Sequence, residues 1–264
     1  MNNLINKDNK EIKTRISAVI ITFNEEKNIR RCLESIQDIV DEVIVVDSFS
    51  TDRTQEICEE FNVKFVQYKW QGYSKTKNYA NELVSNEFIL SIDADEALSE
   101  ELQKSILRLK VGEELSRNIV YSLNRLTNYC GKWIYHCGWY PDKKIRIFNK
   151  SNASWKGELH EELVFVDENT KIQHLEGNLL HFSYNSISQH ILQVDKFTEI
   201  GAKEAYNKGK RTSILGIILR PIWKFLRDYI IKLGFLDGYY GFVICAISAF
   251  ATFVKYIKLR QYYK

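Results

Sequence analysis

Residues 88–96 read FILSIDADE, an apolar run that opens into two aspartates one residue apart. The length and branched apolar content of residues 88–92 predict a buried strand. At strand spacing, positions i and i+2 face the same way, so Asp93 and Asp95 are expected to present both carboxylates to one small volume. Hard oxygen donors converging there suit Mg²⁺ or Mn²⁺, ions that keep positions open for water or phosphate oxygens. An isolated pair of this kind also reads as a solvated acidic turn ahead of a helix from Ser99, so the surrounding chain decides.

Toward the N-terminus, residues 17–23 (SAVIITF) and 42–47 (EVIVVD) are continuous apolar runs of the kind buried on both faces of a parallel sheet. Residues 64–67 predict a shorter third strand, and 88–92 the fourth. Helical patterns over 27–36, 52–61 and 75–84 separate them. This alternation predicts a parallel sheet covered by helices, whose ligands bind beyond the C-terminal ends of the strands. Asn24, Asp47 and Asp93 each fall at such an end. Few purely structural accounts require three polar groups, from three strands, on one edge.

Toward the C-terminus the alternation stops after a helix over 99–110. Strands are expected over 120–124, 145–149 and 179–182, with the aromatic stretch NYCGKWIYHCGWYPD between the first two. A long helix is expected over 186–206. Arg146 in KKIRIF reads either as a fork for a diphosphate or as a brace for Asp142. Trp133, Trp139 and Trp155 read either as flat faces for sugar rings or as core aromatics.

From Ser213 the chain becomes basic and apolar. Arg220, Lys224 and Arg227 form a basic stripe, Pro221 is expected to kink a helix or mark its early turn, and Gly234 to end it. Residues 238–254 are 17 positions without a charge, roughly 25 Å of helix and at the short limit for crossing a bilayer. An interfacial helix pair, a short span, a dimerisation helix and a packed helical subdomain all fit. The basic stripe favours an interfacial helix pair on anionic headgroups.

The 264 residues, 45% hydrophobic and 27% charged, exclude a disordered chain. Residues 208–264 carry eleven Lys/Arg against two Asp/Glu, while the rest carries 26 against 32. A basic tail on a mildly acidic body points to an anionic surface as its partner, and no nucleic-acid partner is expected. Five cysteines without paired spacing argue against a disulfide framework and for a reducing compartment. Cys130, His136 and Cys137 lack the fourth ligand of a structural zinc site. The polar first residues do not read as a signal peptide, so a cytoplasmic location is expected, peripheral to the inner face of the cell membrane.

The pieces AVIITFNEE, VIVVDSFSTDRT, KTKNYA and SIDADE, in this order, resemble the family 2 glycosyltransferases of the GT-A fold. GWYPDKKIRIF, WKGELHEEL, LLHFSY and GFLDGYYGF resemble, within that family, bacterial lipopolysaccharide and lipooligosaccharide core β-1,4-glucosyltransferases. The resemblance implies an α/β GT-A domain over 1–207, with a nucleotide-sugar half over about 14–110 and an acceptor half over 111–207. Residues 208–264 are then a helical, membrane-associating tail that attaches through 213–264. It implies an inverting, metal-dependent transfer of a hexose, glucose from UDP-glucose, onto a lipid-linked saccharide such as the lipopolysaccharide inner core, and leaves room for a homo-oligomer. Thr22, Asn24, Glu25, Asp47, Lys77, Asp93, Ala94 and Arg146 are implied at the nucleotide-sugar. Asp95, Asp93 and His181 are implied at the metal. Glu161 is implied as the catalytic base with His160 beside it, although HE stands here where many relatives carry ED. On residues alone, Asp47 also reads as a turn former, Asp52 as a helix N-terminal charge and His181 as a core histidine.

Two other classes compete. A sugar-nucleotide nucleotidyltransferase on a related fold would carry a Gly- and Arg-rich phosphate loop near the first strand, which FNEEKN lacks. A non-catalytic membrane scaffold has no need of Asp93, Asp95 and Glu161.

Overall fold

A computed structural model describes residues 14–112, 115–157 and 161–263. In chain order its elements are β1 (Ile16–Thr22), α1 (Ile29–Ile36), β2 (Glu42–Asp47), α2 (Thr54–Glu59), β3 (Lys64–Gln67), α3 (Tyr73–Glu82), β4 (Phe88–Ser91), β5 (Glu96–Leu98), α4 (Glu100–Val111), β6 (Ile119–Tyr129), β7 (Lys132–Ile134), β8 (Asp142–Asn149), β9 (Ala153–Lys156), β10 (Glu162–Phe165), β11 (Lys171–Tyr184), α5 (Ile187–Asn207), α6 (Ile214–Leu226) and α7 (Gly238–Gln261). A π-helical turn (Arg227–Ile231) and a 3-10 turn (Gly234–Asp237) join α6 to α7.

The chain divides into two compact units. The first runs to Arg125 and resumes over Lys143–His181; the second is Leu126–Asp142 with Phe182–Lys264. The sequence reading separates 1–207 from 208–264, whereas α5 and the aromatic stretch before β8 group with the tail. The reason is apolar: Tyr129, Ile134 and Cys137 share one buried cluster with Ile244 and Cys245, and Ala202 and Ala205 of α5 share another with Leu259.

In the first unit β3, β2, β1 and β4 pair in that order, all parallel. β1 and β2 are almost wholly buried, as their unbroken branched runs require. α1 buries Ile29, Cys32, Leu33 and Ile36, one face at helical spacing, against the sheet. Each such fully buried aliphatic side chain contributes about 1.5–3 kcal/mol. Beyond β4 the sheet continues through β8, β6, β11 and β5, with β8 antiparallel to β4 and β5 antiparallel to β11. The sequence reading missed β5, the β9–β10 hairpin and most of the length of β6 and β11, because their polar faces break the apolar runs it relied on. Ser99 caps α4, accepting from the Leu102 N–H, with Glu100 and Glu101 in the first turn.

In the second unit α7 has 24 residues, not 17, and packs on α5 and α6. Gly241 makes one approach possible: a Cβ there would fall 1.9 Å from the Gly234 carbonyl oxygen. Gly241 and Cys245, one turn apart, are both buried on the inner face of this helix. Pro221 lies within α6, and the helical run ends near Leu233, in the left-handed region, rather than at Gly234. Two members of the expected basic stripe are committed to an ion pair. Lys224 and Arg227 lie 2.6 and 2.9 Å from Asp228, a buried carboxylate that needs both. All five cysteines are free thiols.

Candidate active site

Parallel registry sets the edge on which the site stands. Thr22, last in β1, is opposite Asp47, last in β2, and β4 ends two residues before Asp93 on the other side of β1. Past β4 the chain turns at once into β5, so Asp93 and Asp95 occupy a turn and not a strand. Within that turn the two side chains take different partners.

Asp93 is held by two cations. Its Oδ2 accepts from Arg146 at 2.7 Å and its Oδ1 lies 3.0 Å from Lys77 Nζ. Burial alone would raise its pKa, but Arg146 and Lys77 more than offset that and hold the carboxyl well below the usual carboxylate range. Arg146 is buried, one residue before Ile147, which pairs with Leu90 of β4. Its guanidinium also donates to Glu96. It thus sits on Asp93 and Glu96 rather than on a residue of its own strand. Burial pushes the fully enclosed Glu96 carboxyl up, against Arg146. The sequence reading missed Glu96, although a glutamate followed by Ala97 and Leu98 and an arginine inside the apolar IRIF were the available signal.

Asp95 turns instead to His181, with 3.2 Å between Oδ2 and Nε2. The antiparallel β5–β11 ladder places them: His181 is opposite Glu96, next to Asp95. Ala94, between the two aspartates, is buried.

Lys77 joins this turn to the β9–β10 hairpin. Its Nζ lies 3.2 Å from Glu161 Oε1 as well as on Asp93, and 4.8 Å from the centre of the Trp155 ring. The lysine is only 2% exposed. Asn78, its neighbour in KTKNYA, fixes α3 to β9 by donating to the Trp155 carbonyl at 2.8 Å and accepting from its N–H at 2.9 Å. Ser74 adds a hydrogen bond to the Gly157 carbonyl. Glu161 keeps 24% of its side-chain surface, and His160 lies outside the described residues.

The β1 and β2 ends close on each other. Asp47 is fully buried, and its two oxygens accept from the Ser50 N–H and hydroxyl, the turn-forming role. Asn24, at a φ of 56°, accepts from the Thr51 N–H. Asp52 accepts from the N–H of Glu26 and caps Thr54. The Thr22 hydroxyl is buried with no protein partner. Burial raises the Glu25 pKa; a hydrogen bond from Asn28 opposes this, and the charges of Asp95, Asp52 and Asp93 add to it. Glu25 and the aspartate turn therefore share one electrostatic neighbourhood.

Trp155 packs edge-on against Phe148, and Trp139 sits among Tyr129, Tyr184 and His190, so both are core aromatics. Trp133 packs on Phe182. The exposed rings near the site come from a loop the sequence reading passed over. Trp70 and Tyr73 are 45% and 46% exposed and stand edge to face at 4.8 Å. Burial raises the Tyr73 hydroxyl pKa, and the charges of Glu161 and Asp93 add to it.

A divalent cation suits Asp95 and His181 by donor type: a partly open carboxylate and an imidazole already converge. Asp93 suits it less, since both its oxygens are engaged by cations. Among the described residues no group of three or more His, Cys, Asp or Glu side chains is placed to hold a metal, so a cation here would have two protein ligands, Asp95 and His181.

The family described as Glycosyl transferase family 2 matches residues 17–153. An uncharacterized glycosyltransferase of Rickettsia typhi is 36% identical over 254 residues, which cover 94% of this chain and 87% of the relative. A lipopolysaccharide core biosynthesis glycosyltransferase of Rhizobium meliloti, LpsC, is 27% identical over 262 residues, covering 94% and 93%. Among solved structures, Staphylococcus aureus TarS in complex with UDP-GlcNAc aligns at 17% identity over 94% of this chain and 91% of that one, with a TM-score of 0.47.

Proposed function

The chain belongs to glycosyl transferase family 2, and from that premise we propose an inverting hexosyltransferase that moves glucose from UDP-glucose to a lipid-linked saccharide of the lipopolysaccharide inner core. The observation that carries this reading is Lys77, which ties Glu161 to Asp93 in one buried network. A base candidate and the acidic turn, 68 positions apart by number, thereby border one space at the sheet edge. The likeness to LpsC supports the class of acceptor.

The acceptor hydroxyl attacks the anomeric carbon and passes its proton to Glu161. The bond from that carbon to the phosphate oxygen breaks, and its electron pair leaves with UDP. Direct attack inverts the centre, so an α-linked donor gives a β-linked product. Lys77 keeps Glu161 oriented before the proton arrives. Asp93, held ionised by Arg146 and Lys77, fixes the turn that presents Asp95. A divalent cation on Asp95 and His181 would supply Lewis-acid neutralisation of the leaving diphosphate. Thr22, whose hydroxyl has no protein partner, faces the nucleoside end. Trp70 and Tyr73 offer apolar faces to a sugar ring.

Attachment to the inner face of the membrane runs through α6. Ile214, Leu215, Ile218, Leu219, Ile222 and Trp223 are each 51–63% exposed, a continuous apolar face of the kind that marks an interaction surface. Arg220, Lys224, Arg227 and Asp228 interrupt α6 and the π-helical turn that continues it, which disfavours crossing a bilayer and suits the helix to lying in its interface.

The test is a screen of nucleotide sugars for release of UDP in Mg²⁺ or Mn²⁺. Acceptor-dependent release that Glu161→Gln slows a hundredfold or more, with donor affinity unchanged, is expected for loss of the base. Full turnover by Glu161→Gln would move the base elsewhere.

A further inference from the structure

With Lys224 and Arg227 committed to Asp228, the unpaired positive charge of the second unit lies elsewhere. α5, α6 and α7 enclose a cavity of about 380 Å³. Five cations line it, Lys208, Lys210, Arg211, Arg220 and Lys255, against the one carboxylate of Glu204. Arg220 is pre-positioned: its guanidinium lies 4.3 Å over the Tyr256 ring and donates to the Thr212 hydroxyl at 3.1 Å. Arg211 lies 5.0 Å over the Tyr263 ring. Gly201 leaves room for the lysine on the far wall, since a Cβ there would stand 3.3 Å from Lys255 Nζ. One or two cations would suffice to complement the C-terminal carbonyls of α5. Five, drawn from α6, α7 and the link between α5 and α6, exceed that need, and like charges held together raise each other's cost unless an anion joins them.

We propose that this cavity binds the phosphate of an anionic lipid headgroup. The charge is complementary, and the arginine forks suit phosphate oxygens. The surroundings favour a lipid over a soluble anion. Arg211 is followed, three residues on, by Ile214 and Leu215, 62% and 63% exposed, where the apolar face of α6 begins. A phosphate in the cavity therefore has an apolar surface beside it for its acyl chains. The inference rests on the reading of α6 as an interfacial helix and adds to it a discrete headgroup site, which takes Arg220 from the expected basic stripe and leaves Lys224 and Arg227 to Asp228.

The test compares two triple variants of the full chain with equal loss of charge. The cavity triple is Lys210→Gln, Arg211→Gln and Lys255→Gln. The control triple, at cations that do not line the cavity, is Lys196→Gln, Lys203→Gln and Arg260→Gln. Each is titrated with neutral phosphatidylcholine vesicles and with vesicles containing about one third phosphatidylglycerol. The cavity triple should lose the preference for anionic vesicles, on the order of a hundredfold from the usual contribution of three surface cations. Its partition to neutral vesicles should stay unchanged, and the control triple should lose clearly less. Equal losses by the two triples would reduce the effect to diffuse attraction and overturn the site. Calorimetric binding of inorganic phosphate that the cavity triple abolishes, with its vesicle preference intact, would assign the cavity to a soluble anion and overturn the lipid. If the unaltered chain partitions to neither vesicle, the interfacial reading of α6 has failed. The headgroup assignment then stands only if soluble dihexanoylphosphatidylglycerol binds the chain and not the cavity triple, and falls otherwise.

Discussion

Replacing Arg146 by methionine removes the cation that Asp93 and Glu96 share. Glu96 has no exposed side-chain surface and Arg146 only 5%. Breaking a buried pair from one side costs about 3–5 kcal/mol, because a carboxylate is left in a low-dielectric site without compensation. Glu96 retains Arg125 at 3.8 Å and the Asp93 N–H at 3.0 Å, while Asp93 retains Lys77. The full cost should therefore fall on Glu96 at neutral pH. Its sign with pH follows from the direction of its shift. Burial raises its pKa in the folded chain even with Arg146 present, so losing the arginine raises it further. Protonation then relieves the strained site, and the deficit of the variant should shrink as pH falls toward that raised value. Asp93 acts oppositely: its depressed pKa contributes stability present above the unfolded value and lost only in strong acid. Urea unfolding at neutral and mildly acidic pH, with hydrogen exchange of β4 and β8 amides to read this unit separately, measures the effect. The double variant Arg146→Met/Glu96→Gln should recover most of the loss. A single variant within about 1 kcal/mol of the parent at neutral pH, or a double variant no better than the single, would refute the shared-cation account.

Replacing Asp95 or His181 by alanine should weaken nucleotide binding in Mg²⁺ or Mn²⁺ while leaving the metal-free affinity unchanged, read by titration calorimetry; equal affinities in both conditions would contradict the ligand role. Lys77→Met should lower kcat more than donor affinity, since it frees Glu161 while Asp93 keeps Arg146, and Lys77→Arg should restore part of the rate; steady-state kinetics with both variants decides. Leu219→Glu with Trp223→Glu should shift the chain from vesicles to the soluble fraction in a flotation assay. These point changes are preferable to deleting residues 213–264, which would take Ile244 and Cys245 out of the core of the second unit.

The first four strands were legible because their runs are apolar on both faces, and such runs admit few other readings. The edge followed from topology, so Asn24, Asp47 and Asp93 were assigned to it before any side chain was seen, and Thr22 joined them through the family resemblance. What the sequence hid was pairing. The strand was expected to end at residue 92, but the short strand antiparallel to β11 that follows the turn was not legible, and the turn divides the two aspartates between Lys77 and Arg146 on one side and His181 on the other. Glu96 was hidden for the same reason, being a charge whose partner comes from β8, fifty positions later. The C-terminal helices misled in another way. An uncharged run of 17 residues describes composition, not neighbours: α7 turns Gly241, Ile244, Cys245 and Leu259 inward and leaves Tyr239, Phe242 and Phe250 exposed, while α6 carries an open apolar face of its own.

Lys77 explains why the site needs a buried cation at all. Asp93 and Glu161 are both partly open, at 31% and 24%, and both lie within 3.2 Å of its ammonium. Two carboxylates brought this close to a diphosphate would repel it and each other. One lysine, shielded by Trp155 and with its neighbour Asn78 fixed to β9, lets the acidic turn and Glu161 stand side by side. Within the proposed function the α3 segment KTKNYA supports the chemistry: its lysine balances the two carboxylates and its asparagine ties α3 to β9. A helix shifted by one residue would lose both at once, because the side chain presented to Trp155 would no longer be the amide that satisfies its backbone.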